Sequence, residues 1–122
     1  MKVLLDTDVL IDFEKGVEGL PEEECYVSII SVYEFIRGRK DYSHAKKLLE
    51  ELAGIAPLDN NVILKATKIW RELMCRGEKI DDRDLLIGAT AIALNMHLYT
   101  RNKKHYSRLQ KYGLKLYIKR RS

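Results

Sequence analysis

The 122-residue chain has room for one domain and not two, and its 46% hydrophobic and 33% charged residues are those of a globular protein in water, which excludes a disordered or fibrous chain. Its longest nearly apolar run, Leu85 to Leu94, falls far short of the ~20 residues that span a bilayer. Asp6 comes too early for a secretory signal, so the cytoplasm is the simplest compartment. The net charge of +4 conceals an asymmetry: all 18 acidic residues lie in the first 84 positions, and the last 38 carry nine Lys and Arg with no acid. That half is a candidate polyanion surface, with Tyr99, His105, Tyr106, Tyr112 and Tyr117 interleaved as stacking candidates, although a merely solvated terminus fits the charge equally well.

In chain order, Lys2 to Leu5 reads as a buried strand that closes on Asp6 and feeds a helix bearing Val9, Leu10, Ile11 and Phe13. Tyr26 to Ile30 is a second strand, and Ser31 to Arg37 a helix stopped by Gly38. Ser43 opens a helix with Ala45, Leu48, Leu49 and Leu52 on one face, closed by Gly54. Ile55 to Leu58 suits a short strand, after which Asp59 caps a helix striped by Val62, Ala66, Ile69, Trp70 and Leu73 and ended by Gly77. Asp81 caps a helix from Asp82 to Asn95 that is apolar almost all round and therefore central. His97 to Thr100 returns as a strand, Lys103 to Tyr112 as a short helix stopped by Gly113, and Leu114 to Ile118 as a final strand. Cys25 and Cys75 have neither CxxC nor zinc-site spacing and read as buried thiols.

Strands and helices alternating at this spacing predict a single α/β domain over residues 1–122, a three-layer α/β/α arrangement around a mainly parallel sheet. In such sheets ligands bind outside the carboxyl ends of the strands. Asp6 and Asp8 follow the first strand, Glu34 lies in the first turn after the second, and Thr100 and Asn102 close and follow the fourth, while Asp84 stands at the start of the central helix. Taken singly, each acid has a structural reading. Asp8 fits the N-cap of a helix beginning at Val9, Ser31 with Glu34 spells a capping box, and Asp81 with Asp84 repeats its offset. Taken together they point to a shared cation, because two carboxylates about 5 Å apart repel by roughly 3 kcal/mol at an effective dielectric of about 20. Oxygen donors with nothing softer suit a hard divalent ion such as Mg²⁺. No nucleophile elbow, Walker loop or dinucleotide fingerprint competes with this reading.

Four blocks carry a family resemblance: Leu4 to Asp12 (LLDTDVLID), Ser28 to Glu34 (SIISVYE), Asp84 to Ala91 (DLLIGATA), and Tyr99 to Tyr106 (YTRNKKHY) with Gly113-Leu114 beyond. Their order and spacing resemble PIN domains, in particular the small VapC-type ribonuclease toxins of prokaryotic toxin–antitoxin pairs, over essentially the whole chain. The resemblance implies a PIN-like fold and metal-assisted hydrolysis of RNA, with Asp6 and Asp84 holding Mg²⁺ or Mn²⁺, Glu34 as third acid and Asn102 at the fourth, frequently acidic position beside Thr100. It places Asp8, where the family more often has Ser or Asn, as a helix cap near metal-bound water, and Gly88, where Ala is commoner, as a packing detail. It further implies that Arg101, Lys103, Lys104 and His105 contact RNA, and that the protein forms a homodimer and is blocked by a small antitoxin that sets an Arg near the acids. A PIN domain serving only as an RNA-binding or protein-interaction module is the alternative, and the metal chemistry alone does not choose RNA over DNA. A haloacid dehalogenase-type phosphatase also opens on a strand and D-x-D, but wants a Thr where Leu10 stands.

Overall fold

A computed structural model describes residues 1–119, so Arg120 and Arg121 of the basic terminus lie outside the described residues. Strand β1 (Lys2–Leu5) is central because Val3, Leu4 and Leu5 are wholly buried, so that side chains on both faces of the strand meet apolar neighbours. It pairs in parallel with β2 (Glu24–Ser28) on one side and β4 (His97–Tyr99) on the other, while β3 (Gly54–Ala56) and β5 (Lys115–Leu116) complete the order β3-β2-β1-β4-β5. The chain winds outward from β1 to β3, then resumes at β4 on the opposite side of β1. The switch point therefore lies between β1 and β4, where Leu5 pairs with Tyr99 and Asp6 and Thr100 emerge side by side.

Helices cover both faces. Val3 and Leu5 point into a core shared with α1 (Thr7–Glu14), α2 (Ile29–Ile36) and α3 (Tyr42–Leu52), built on Val9, Leu10, Val32 and Leu49. Leu4 points the other way, into a core with α4 (Asn60–Cys75), α5 (Asp82–Ala93), α6 (Lys103–Tyr106) and a 3₁₀ helix (Ser107–Tyr112), through Ile69, Leu73, Ile87 and Leu109. This is the expected three-layer α/β/α arrangement. The apolar α5 is central to it, and at Gly88 Leu109 packs so close that a Cβ would meet its Cδ1 at 2.4 Å and oblige that side chain to shift.

Several boundaries move, each for a local reason. Strand β2 ends at Ser28, because the Ser28 hydroxyl accepts from Ser31 N–H at 3.1 Å and starts α2 two residues before Ser31. The expected Ser31–Glu34 capping box is thereby dissolved, and Glu34 is free for other partners. Helix α5 stops at Ala93 because Asn95 turns the chain with φ 55°. The helix after β4 tightens into a 3₁₀ turn that Gly113, at φ 103°, terminates, leaving β5 only two residues. Asp59 caps α4 as expected, accepting from Val62 N–H at 2.9 Å, but Trp70 is 44% exposed and lies outside the buried stripe. The thiols are not both buried: Cys25 is half-buried and Cys75, at the end of α4, is exposed. Nor do the tyrosines form an exposed stacking set, since Tyr99 and Tyr106 are buried and Tyr99 packs on Tyr117 with ring centroids 5.1 Å apart. Among the described residues no helix is long and apolar enough to cross a membrane.

Candidate active site

Asp6 ends β1 and caps α1 at once. Its backbone N–H donates to the Tyr99 carbonyl at 2.9 Å, tying it to β4, and its Oδ1 accepts from Thr7 N–H at 2.8 Å. The carboxylate is only 1% exposed, and both oxygens have further donors: Thr100 Oγ1 at 2.8 Å and Tyr106 OH at 3.2 Å on Oδ2, and Arg83 Nη2 at 2.8 Å on Oδ1. Three elements from both sides of the switch point thus fix one carboxylate. The cap of α1 is Asp6 and not Asp8, which corrects the sequence expectation: the helix begins at Thr7, so Asp8 sits inside its first turn.

That displacement turns Asp8 toward the loop after β4. Its Oδ2 accepts from Arg101 N–H at 3.1 Å and from Asn102 Nδ2 at 3.3 Å, with Thr100 Oγ1 at 3.5 Å. Its Oδ1 is buried without a hydrogen-bond partner. Burial, and then the neighbouring charge of Asp6, push its carboxyl above the usual range. Asn102, the position where the family is frequently acidic, therefore adjoins an acid rather than being one.

Glu34 and Asp84 approach from α2 and α5. The oxygens of Glu34 accept from Arg83 Nε at 2.8 and 2.7 Å, and its Oε1 also accepts from Thr7 Oγ1 at 2.8 Å. Asp84, 9% exposed in the first turn of α5, accepts from Arg83 Nη1 at 2.8 Å. Sequence reasoning put Asp6, Glu34 and Asp84 at one site, and the fold brings all three onto a single guanidinium. It did not single out Arg83, Thr7 or Tyr106. Arg83 stood in plain view within Asp81-Asp82-Arg83-Asp84, but nothing in the spacing tells which way so long a side chain turns. Burial works against the Arg83 charge, yet the hydrogen bond to Glu34 and the charge of Asp6 outweigh it and hold the guanidinium above its usual range. Burial and the carboxylates of Asp6 and Asp84 likewise raise the Tyr106 hydroxyl far above its ordinary value, keeping it a proton donor.

The donor set is oxygen throughout, which suits a hard divalent cation that Asp6 and Asp84 would hold, and the neighbouring Asp8 Oδ1 is buried with no hydrogen-bond partner. With Arg83 at their common focus, however, no three Asp, Glu, His or Cys side chains among the described residues are grouped as a metal site. The rim is basic. Arg101, Lys103, Lys104 and His105 are exposed along the turn from β4 into α6; Arg101 pairs with Asp12, and His105 Nδ1 lies 3.8 Å from Asp84 Oδ2.

Comparison with known proteins agrees with this geometry. Residues 3–111 match the PIN domain family. The chain is 44% identical to ribonuclease VapC1 of Methanocaldococcus jannaschii in an alignment covering 97% of this chain and 88% of that protein. Among solved structures it resembles VapBC-1 of nontypeable Haemophilus influenzae (TM-score 0.74, 25% identity, 96% of this chain and 97% of that one). A toxin–antitoxin complex from Klebsiella pneumoniae shares the fold, with a TM-score of 0.64 at 24% identity over 86% of this chain and 90% of that one.

Proposed function

The chain belongs to the PIN domain family and within it to the VapC group, and on that premise we propose that it is a metal-dependent endoribonuclease that hydrolyses RNA phosphodiesters at the crevice between β1 and β4. The observation that carries the reading is the convergence of Asp6, Glu34 and Asp84, from three separate parts of the chain, on the single guanidinium of Arg83 beside a basic rim. Asp6 and Asp84 hold the metal, and Mg²⁺ or Mn²⁺ when bound supplies Lewis acidity for the phosphate and the attacking water. Glu34 orients that water. Thr100 and Tyr106 lock the Asp6 carboxylate in one rotamer, and Asn102 with Asp8 lines the side of the crevice nearest the rim. Arg101, Lys103, Lys104 and His105 grip the RNA backbone, so binding weakens steeply with salt. The solved relatives are VapBC assemblies and a toxin–antitoxin complex; a small antitoxin, a second copy of this chain and a cytoplasmic site of action complete the proposal.

The test is cleavage of a panel of structured and single-stranded RNA, with matched DNA, by protein freed of any bound partner, in Mg²⁺, Mn²⁺ or EDTA. RNA is cut in either metal, not in EDTA, and not by Asp84→Asn, which falls at least about a thousandfold because it loses a charged ligand while its fold survives. Salt-sensitive binding with no cutting in any metal would turn the protein into an RNA-binding module, and cutting of DNA alone would change its substrate.

A further inference from the structure

Arg83 has no part in the chemistry just proposed, yet it donates six hydrogen bonds to five side chains of the site. They run to both oxygens of Glu34, to Asp6, to Asp84, to Thr7 Oγ1 at 3.3 Å and to Tyr106 OH at 3.2 Å. A guanidinium is a rigid planar fork, and every one of its nitrogens is engaged. Asp6 and Asp84 are buried, and ionised neighbours in such a place repel strongly unless a cation stands between them. The side chain of Arg83 is itself 31% exposed, so it is not sealed inside the fold as Asp6 is.

We infer that Arg83 is the resident counter-ion of the acid cluster, holding Asp6, Glu34 and Asp84 together when no metal is bound and yielding its place when a divalent cation enters. The inference rests on the metal-dependent reading of Asp6 and Asp84. Arg83 already occupies Oδ1 of Asp6, Oδ1 of Asp84 and both oxygens of Glu34, and a divalent ion drawn to the same three acids is repelled by a guanidinium at that distance and competes with it for those oxygens. Metal binding therefore breaks the Arg83 ion pairs, and their strength subtracts from the metal's affinity. Four site acids would otherwise make a tight site. With Arg83 among them the site is weaker, and the metal-free protein is better held.

The experiment is calorimetric titration of Mn²⁺ alone into the parent, Arg83→Met, Arg83→Lys and the site control Asp84→Asn, with thermal melts in EDTA and in saturating Mn²⁺. Arg83→Met binds Mn²⁺ at least about tenfold more tightly than the parent, melts lower in EDTA, and gains more from Mn²⁺. Arg83→Lys, which keeps the charge but loses the fork, falls between them. Unchanged or weaker Mn²⁺ binding in whichever Arg83 variant is folded overturns the inference. RNA cleavage by the same preparations keeps the two readings apart. If the parent cuts RNA in Mn²⁺ while affinity is the same across the Arg83 variants, only the counter-ion role is lost. If the parent shows no Mn²⁺ binding that Asp84→Asn removes, both readings are lost.

Discussion

Two arginines in this chain gather several acids, and they do so in opposite surroundings. Arg39, beyond the end of α2, pairs with Glu14 of α1 and with Asp41, whose side chains are 45% and 52% exposed. Arg83 pairs with Asp6, Glu34 and Asp84, whose side chains are 1%, 19% and 13% exposed. The groups are chemically the same. At the Arg39 corner water solvates each acid whether or not the arginine is present, so the pairing changes little. In the crevice water is largely excluded, so each acid depends on its protein donors and the removal of one partner is felt by the rest. Burial of the acids, not the number of ion pairs, separates the exposed corner from the crevice.

The largest break in that comparison is expected at the most buried acid. Asp6→Ala removes the cap of α1 and strands the hydroxyls of Thr100 and Tyr106, a loss of about 3 kcal/mol in denaturant unfolding. The matching change at the exposed corner, Asp41→Ala, leaves the unfolding midpoint where it was. The comparison is sharpened by repeating Asp6→Ala in an Arg83→Met background. There the cost shrinks, because deleting one acid also relieves the repulsion that the missing guanidinium no longer offsets. An equal cost in both backgrounds would mean that Asp6 and Arg83 are energetically independent despite their 2.8 Å contact.

These networks also mark where sequence stops being informative. A strand that ends in an acid and runs straight into a helix is a local pattern, and Asp6, Asp59 and the order of elements were legible for that reason. So was the meeting of Asp6 and Glu34, because a parallel sheet delivers its strand ends to one side, whereas Asp84, which opens a helix that follows a helix, was joined to them by the crowding of carboxylates and by the family resemblance. The cap was misplaced by two residues, from Asp6 to Asp8, since either aspartate of D-T-D can cap and only the backbone path at Thr7 decides. Ser28 and Ser31 posed the same ambiguity, and its resolution released Glu34 into the site. Arg83 and Tyr106 were legible as residues but not as partners, because their side chains meet across separations in sequence that no periodicity encodes. The basic half misled where charge suggested exposure: Tyr99 and Tyr106 stand among lysines and arginines yet are held inside the fold.

A smaller effect belongs to Tyr106→Phe. The ring is fully buried against the α5 side of the core and survives the change, while the hydroxyl's two contacts, to Asp6 Oδ2 and from Arg83 Nη1, both 3.2 Å, are lost. Such bonds are long, and their removal costs about 1 kcal/mol in EDTA. With Mn²⁺ bound the cost falls, because by the counter-ion reading Arg83 has already left. Melts of parent and variant in the two conditions give the difference; an identical penalty with and without metal would separate Tyr106 from the Arg83 network.

The smallest effect is the one that gives the comparison its baseline. Arg39 also stacks over the Phe35 ring, with 5.1 Å from the guanidinium carbon to the ring centroid, so truncation to Ala would remove apolar cover as well as charge. Arg39→Met keeps most of the stem and deletes only the charge. Its partners remain hydrated, so neither the melting temperature at moderate salt nor RNA cleavage should move beyond measurement error. Low ionic strength is the stringent condition, since screening is then weakest and any worth of the pair is largest. A loss there that matches Tyr106→Phe would show that exposure alone does not distinguish the two arginines, and the difference between them would have to lie in geometry: three carboxylates on a fork in the crevice, against two at the corner.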